Sequence, residues 1–122
     1  MKCYIIYGSE SLLLKPFINN IDEKSICIRI YNNKIPHKRI NFFDFKFDED
    51  LFKQMNSLLE KKNDQIDKII FIGAASTLEK KLFLSNDKYE VERILNINIK
   101  NYLNLVANII PFMMKKKKGS FI

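Results

Sequence analysis

The chain has 122 residues, 47% of them hydrophobic, and a formal net charge of +7. That length suits one domain that buries roughly two-thirds of the surface of its unfolded chain, and the apolar content excludes disorder as the dominant state. No apolar run approaches the roughly 20 residues that span a bilayer, and the N-terminus lacks a signal-peptide pattern. We expect a single cytoplasmic domain over residues 1–122, with no membrane partner.

The basic charge is concentrated in the run Lys115 to Lys118, without which the net charge would fall from +7 to +3. Lysines at the end of a helix stabilise its negative pole, and no base-reading or stacking motif accompanies them. We therefore expect no nucleic-acid partner. Cys3 and Cys27 have no Cys-x-x-Cys spacing and His37 is the only histidine, so we expect buried thiols and no metal site.

The first 31 residues show the pattern of a β-α-β unit. Two short apolar runs, Cys3 to Tyr7 and Ile26 to Tyr31, each end at turn-forming residues and predict strands. Between them, apolar side chains recur at helical spacing over Leu12 to Ile21. Pro16 is compatible with this helix if it lies in the first turn, where its missing N–H costs nothing.

The middle of the chain predicts a third strand and a helix. The strand covers Arg39 to Phe43 and places Asp44 directly after it. The helix runs from about Asp48 to Lys62. Acidic residues at its start and lysines at its end complement the helix dipole, and its apolar residues form one face.

The last part of the chain predicts a buried strand and a long helix. The apolar run from Asp67 to Ser76 is typical of a strand covered on both faces. The helix from Lys88 to Met114 has an apolar surface wider than one stripe, which indicates packing on the sheet and also on another helix or a second subunit. A fifth strand begins at Ser120, so we expect a fold truncated at the start of that strand.

This alternation of strands and helices predicts an α/β fold. Right-handed connections favour a three-layer, doubly wound parallel sheet of order 3-2-1-4-5, with helices on both faces. Ligands of such sheets bind beyond the carboxyl ends of the strands, at the point where the strand order reverses. The candidate site therefore comprises the loops Gly8 to Leu14 and Gly73 to Thr77.

The motifs at these two loops resemble those of the short-chain dehydrogenase/reductase family. The family's Thr-Gly-x-x-x-Gly-x-Gly aligns with Tyr7 to Leu14, in which only the first glycine, Gly8, is kept, and its Asn-Asn-Ala-Gly aligns with Gly73 to Ser76. The resemblance implies a Rossmann-like domain that binds NADP or NAD. The cofactor-binding residues that it implies are Gly8, Ser9, Ser11, Leu12, Asn32, Asn33, Asp44, Gly73, Ala74 and Ala75.

Some of these positions have a second explanation. Leu12 and Leu14 replace glycines that let a pyrophosphate approach the backbone, and a plain strand-to-helix turn explains them as well. Asp44 stands where the family has an aspartate near the adenine, or it is a solvated acid ahead of a helix. Where the second strand ends, Asn32 and Asn33 precede a lysine and no acid is present, which favours NADP over NAD.

The resemblance continues into the long helix. Asn98 corresponds to the family's helix asparagine, which anchors a water in the proton relay, and the resemblance makes it the catalytic residue of this chain. The alternative is a helix-surface amide with no special function. The segments Ile110 to Met113 and Gly119 to Ile122 are similar to the family's "Pro-x-Met" and "Gly-x-Ile-Val".

The family's acid/base motif, Tyr-x-x-x-Lys, does not occur in the sequence, and its catalytic serine would follow the fifth strand. We expect the truncated or degenerate N-terminal portion of an NAD(P)-dependent oxidoreductase, without turnover of its own. By resemblance, the complete protein acts on a small-molecule substrate and forms homo-oligomers. The alternative is a non-catalytic Rossmann-like module that binds a nucleotide or a protein.

Overall fold

The structure is a computed structural model, which describes residues 1–8, 14–32, 36–73, 88–116 and 119–121. For residues 90, 91, 93–95, 97, 98 and 119–121 it describes the backbone alone. The strands in these ranges are β1 (Lys2–Tyr7), β2 (Ile26–Tyr31), β3 (Phe42–Lys46), β4 (Lys68–Gly73) and β5 (Gly119–Phe121). The helices are α1 (Lys15–Asn19), α2 (Leu51–Lys61) and α3 (Lys88–Lys116), and a 3₁₀ turn covers Asn63–Gln65.

The strands form one sheet in the order β3-β2-β1-β4-β5, and each strand pairs with its neighbours in parallel. β1 lies at the centre, where Tyr7 is opposite Ile30 of β2 and Gly73 of β4. β5 adds three residues beside β4. The predicted α/β class and the parallel strand order are confirmed.

Side chains of successive strand residues point to opposite faces, and each face has its own core. On one face, side chains of β1, β2 and β4 pack with those of α2 and α3; Ile5, Ile28, Phe71, Leu105 and Ile109 are fully buried there. On the other face, Ile6 and Cys27 pack with Ile18 and Ile21, in and just after α1. Helices therefore cover both faces of the sheet.

α1 is shorter than the pattern predicts. It begins at Lys15 and ends at Asn19, and Pro16 lies in its first turn, as expected. Ile18 is its buried residue. The first two leucines of the predicted helix, Leu12 and Leu13, lie outside the described residues.

β3 is displaced from its predicted position. The pattern predicts a strand over Arg39 to Phe43, which is wrong because β3 runs from Phe42 to Lys46. Asn41 adopts a left-handed φ of 65°, which asparagine tolerates better than most residues, and its carbonyl oxygen accepts a hydrogen bond from the N–H of Cys27 at 3.1 Å. This turn delays the strand and places Asp44 in the middle of β3.

α2 presents Leu51, Met55 and Leu59 to the core at intervals of one helical turn. The helix begins three residues later than predicted. The cause is a local turn in which the carboxylate of Asp48 accepts a hydrogen bond from the N–H of Asp50 at 3.0 Å, an arrangement that competes with helix formation. The acidic residues thus precede the helix and do not lie in its first turn.

α3 has 29 residues and continues through Pro111. Leu105, Ile109 and Met113 form its buried stripe. Within the part of the chain that the structure describes, neither this helix nor any other has the length and apolar character needed to cross a membrane.

Candidate functional site

The strand order reverses at the centre of the sheet. β2 lies on one side of β1 and β4 on the other, so the connection from β1 and the connection from β3 leave toward opposite faces. The carboxyl ends of β1 and β4 are neighbours, with Tyr7 opposite Gly73. This is the position at which parallel sheets bind ligands.

Gly8 turns the chain away from the end of β1. It is buried, its φ is 78°, and its N–H donates to the carbonyl oxygen of Ile30 at 3.3 Å. A residue with a side chain would be strained in this left-handed conformation. Gly8 therefore lets the chain leave the strand while it stays hydrogen-bonded to β2. Ser9, Ser11 and Leu12, which follow it, lie outside the described residues.

Gly73, at the end of β4, is required by packing. A Cβ atom at this position would lie 2.7 Å from Cε2 of Tyr102 and 3.1 Å from its Cδ2, closer than van der Waals contact allows. The Tyr102 ring also packs edge-on against Phe71, with 5.5 Å between ring centres. The lack of a side chain thus serves the approach of α3 to β4. The contact of Gly73 with a cofactor stays a prediction, and Ala74 and Ala75 lie outside the described residues.

Asp44 is bound to an arginine on the neighbouring strand. Its two carboxylate oxygens accept hydrogen bonds from Nε and Nη2 of Arg29 at 2.6 and 2.9 Å. The Arg29 and Asp44 side chains are 6% and 14% exposed, and Nη2 also donates to the carbonyl oxygen of His37 at 2.6 Å. Because the Asp44 side chain is largely buried, the alternative explanation, a solvated acid ahead of a helix, is wrong. The predicted position of Asp44, directly after the third strand as in the family, is also wrong, because Asp44 lies within β3.

The Arg29 partnership is absent from the sequence prediction. A signal for it exists, because an arginine in an apolar, buried strand requires a partner for its charge. The identity of that partner depends on the register that pairs Arg29 with Asp44, and this register follows from the late start of β3. The sequence could have predicted the need for an acid but not which acid supplies it.

Tyr7 has an unusual side chain for the end of a central strand. Tyr7 is 4% exposed, and the centre of its ring lies 5.7 Å from the centre of the Phe47 ring. The hydroxyl group is buried and has no hydrogen-bond partner among the residues that the structure describes. A buried hydroxyl that lacks a partner costs about 1–3 kcal/mol. The sequence contains a signal for this feature, because a tyrosine at the end of a predicted buried strand brings a hydroxyl group into an apolar region.

The other predicted site residues are only partly covered. Asn32 directly follows β2 and is partly buried, whereas Asn33 lies outside the described residues. Asn98 belongs to α3, and its backbone alone is described. The structure therefore brings Gly8 and Gly73 to one edge with Asn32 at the end of the next strand, and it keeps Asp44 within β3.

The two cysteines lie in different cores, Cys3 beneath α2 and α3 and Cys27 beneath α1. Burial, with a smaller contribution from Cys27, raises the pKa of the Cys3 thiol to about 12. Burial is also the main cause that raises the pKa of Cys27 to about 12. Both thiols are therefore neutral at physiological pH and poor nucleophiles. The described residues contain no group of three or more His, Cys, Asp or Glu that could hold a metal ion.

The geometry fits a nucleotide in one respect and does not fit it in another. A buried glycine with positive φ at the end of β1 supplies the tight turn with which the phosphate-binding loop of such sheets begins. The predicted adenine contact of Asp44 stays a prediction; its side chain is 14% exposed, and both carboxylate oxygens accept hydrogen bonds from Arg29. The exposed acids Asp48 and Asp50, ahead of α2 at the same edge, add negative charge that opposes phosphate binding.

Comparison of the chain with protein-family models, with curated proteins and with solved structures finds no match in any of the three. The geometry of the strand ends is therefore the basis on which a function is proposed.

Proposed function

We propose that the chain is a Rossmann-like, doubly wound domain that binds NADP or NAD at the carboxyl edge of the sheet, as the N-terminal portion of an oxidoreductase of the short-chain dehydrogenase/reductase type. One observation carries the proposal. The strand order reverses between β1 and β4, and a glycine lies at the end of each: Gly8 directly follows β1, and Gly73 is the last residue of β4. Ligands of parallel sheets bind at such a point.

In this proposal the backbone after Gly8 approaches the pyrophosphate of the dinucleotide, and Gly73 borders the same cleft. Asn32 and Asn33 bind the ribose of the adenosine in this proposal. Because neither is an acid, NADP is favoured over NAD. Asn98 positions a water molecule for proton transfer in the complete protein.

The proposed activity of these 122 residues is binding without turnover. The sequence has no Tyr-x-x-x-Lys, and the arginine four residues after Tyr89 cannot take the place of the lysine, because a guanidinium does not deprotonate in proteins. Reduction of a small-molecule carbonyl therefore belongs to the complete protein in this proposal.

Titration of the purified chain with NADPH and NADH, followed by calorimetry, tests the binding. We expect NADPH to bind more tightly than NADH. Gly8→Asn should weaken binding at least tenfold, because asparagine tolerates the left-handed backbone but its side chain blocks the approach of phosphate. Ser57→Ala, on the exposed face of α2, is the matched control and should bind as the unaltered chain does. The absence of heat with either dinucleotide at millimolar concentration would reject the proposal.

A second candidate is a non-catalytic module whose partner is a protein, and α3 favours it. Beside its buried stripe, the helix carries a second apolar stripe on one face, in which Ile99, Leu103 and Ile110 are 55%, 57% and 39% exposed. A wide apolar helix surface of this kind is typical of protein interfaces. A second copy of the chain, docked along this stripe, is the partner we propose, in agreement with the expected homo-oligomer.

Sedimentation equilibrium tests the second candidate independently of nucleotide. The unaltered chain should self-associate, and Leu103→Glu should shift it toward the monomer. Lys100→Glu changes the charge of an exposed residue on the same helix and should leave association unchanged. Association without dinucleotide binding would favour the non-catalytic module, whereas a monomer at high concentration would reject the homo-oligomer.

A further inference from the structure

Lysines collect at the amino-terminal edge of the sheet, opposite the candidate nucleotide site. α2 and α3 connect parallel strands, so both helices end at the edge where the strands begin. Six lysines lie at these helix ends and strand starts, and together they define a surface that we call the basic edge: Lys2, Lys61, Lys62, Lys68, Lys115 and Lys116.

Contacts between the elements join parts of the basic edge. The ammonium group of Lys116, at the end of α3, donates a hydrogen bond to the carbonyl oxygen of Asn63, in the turn after α2. The ammonium group of Lys62 lies 5.8 Å from the ring centre of Phe43, near the start of β3. Lys2 and Lys68 are opposite each other on β1 and β4. The ends of α2 and α3 are therefore in contact with each other, and Lys2 and Lys68 are neighbours although they are 66 residues apart.

The positive charge of the basic edge exceeds what the fold requires. Each helix C-terminus carries about half a negative charge, so two helix ends account for about one of the six lysines. The acids at this edge are Glu60, Asp64 and Asp67, together with Asp22 and Glu23, which stand beside Lys24 just before β2. The carboxylate of Asp67 already binds the Met1 ammonium group at 2.7 Å. The like-charged pair of Lys2 and Lys68 on neighbouring strands is itself unfavourable. An anionic partner would relieve this repulsion.

Exposed aliphatic side chains stand among these charges. Ile40, two residues before β3, is 87% exposed, and Met114, next to Lys115, is 72% exposed. A single exposed aliphatic residue needs no explanation, but here two of them project at the edge that carries the lysines. Anionic lipid surfaces bind ammonium groups at the headgroups and aliphatic side chains at the acyl boundary. Single-stranded nucleic acids are bound instead by aromatic stacking along a basic groove.

We propose that the basic edge docks on the surface of an anionic phospholipid bilayer. Ile40 and Met114 enter the interface between headgroups and acyl chains, and the lysines bind the headgroup phosphates. This differs from the expectation of no membrane partner, which depends on the lack of an apolar run long enough to span the bilayer; surface docking needs no such run. The proposal is independent of nucleotide binding, because the candidate nucleotide site lies at the other edge.

Co-sedimentation of the full chain with vesicles tests the charge requirement. The chain should bind vesicles of phosphatidylcholine with 30 mol% phosphatidylserine, release with increasing salt, and not bind phosphatidylcholine alone. Lys61→Gln with Lys115→Gln should weaken binding more than tenfold, since each lysine near an anionic surface contributes about fivefold. Lys53→Gln with Lys88→Gln removes the same charge at the opposite ends of the same two helices and should weaken it less than threefold. Equal losses in the two double variants would overturn the proposal.

A second comparison separates a lipid surface from a nucleic acid. Ile40→Ser with Met114→Ser should weaken vesicle binding at least fivefold, whereas Tyr89→Ser, which changes an exposed side chain at the opposite end of α3, should not. Circular dichroism checks that all variants are folded. Binding to a 30-base-pair DNA that is tighter than binding to the anionic vesicles, and unaffected by Ile40→Ser with Met114→Ser, would overturn the lipid proposal in favour of nucleic acid.

Discussion

Arg29 and Asp44 face each other in the register of β2 and β3, joined by two hydrogen bonds of 2.6 and 2.9 Å. The same guanidinium lies 4.7 Å from the ring centre of Phe42 and donates to the carbonyl oxygen of His37. The pair therefore ties the outermost strand and the segment before it to the interior of the sheet. An acid that the sequence presents as a cofactor contact has a structural function in this position.

Removal of Asp44 should be severely destabilising. Asp44→Ala leaves the buried Arg29 without its counter-charge, and we expect the free energy of unfolding to fall by about 3–5 kcal/mol. Urea denaturation measures this loss. Arg29→Met combined with Asp44→Leu replaces both charges by apolar groups and should recover most of the stability. If Asp44→Ala were as stable as the unaltered chain, the ion pair would not hold β3 in place.

Gly73→Ala should loosen the contact between β4 and α3. The added methyl group would lie 2.7 Å from the Tyr102 ring, and overpacking of this kind costs about 1–3 kcal/mol. Tyr102→Leu removes the ring atoms that clash, so alanine at position 73 should cost less in that background. A double-mutant cycle on thermal unfolding gives the coupling between the two positions. A cost of Gly73→Ala that is the same with and without the ring would contradict the packing explanation.

The amides of Asn56 on α2 and Asn108 on α3 donate hydrogen bonds to each other, at 3.0 and 2.6 Å. Asn108→Ala leaves a partly buried amide without this partner, and we expect a loss of about 1 kcal/mol in the free energy of unfolding. Asn56→Leu with Asn108→Leu replaces both partners by apolar groups of similar size and should be nearly neutral. Asn104→Ala, on the exposed side of α3, is the control. A loss in the control as large as that of Asn108→Ala would show that the pair itself contributes nothing.

The buried thiols should resist alkylation and weaken the fold at high pH. Burial raises the pKa of Cys3 from its ordinary value of 9.0 to about 12, so the folded state favours the neutral thiol. The resulting stability is complete below about pH 9 and is lost as the pH rises from about 9 to about 12. Iodoacetamide at pH 8 should therefore modify the thiols only after denaturation.

The Cys3→Ala variant isolates the contribution of this thiol at alkaline pH. Lysines and tyrosines also titrate in that range, so the informative quantity is the difference between the two proteins. The decline in urea midpoint between pH 8.5 and 10.5 should be smaller in Cys3→Ala than in the unaltered chain. An identical decline in both would show that ionisation of Cys3 does not oppose folding.

The sequence by itself determined the class of fold and the approximate place of the strands and the two longer helices. Apolar runs of strand length and the stripe of α2 depend on neighbours a few residues apart, so a local pattern is enough to predict them. A turn at Gly8 is predicted for the same reason, because a glycine that follows a buried strand is a local signal for a turn.

Only the tertiary structure decided the start of β3, the partner of Asp44 and the reason for Gly73. The carbonyl oxygen of Asn41, in the turn before β3, accepts a hydrogen bond from Cys27 of β2. Asp44 binds an arginine 15 residues earlier in the chain. Gly73 leaves space for the ring of Tyr102 on α3. Each of these depends on which side chains the sheet register and helix packing bring together, and such contacts between distant residues leave no periodic trace in the sequence.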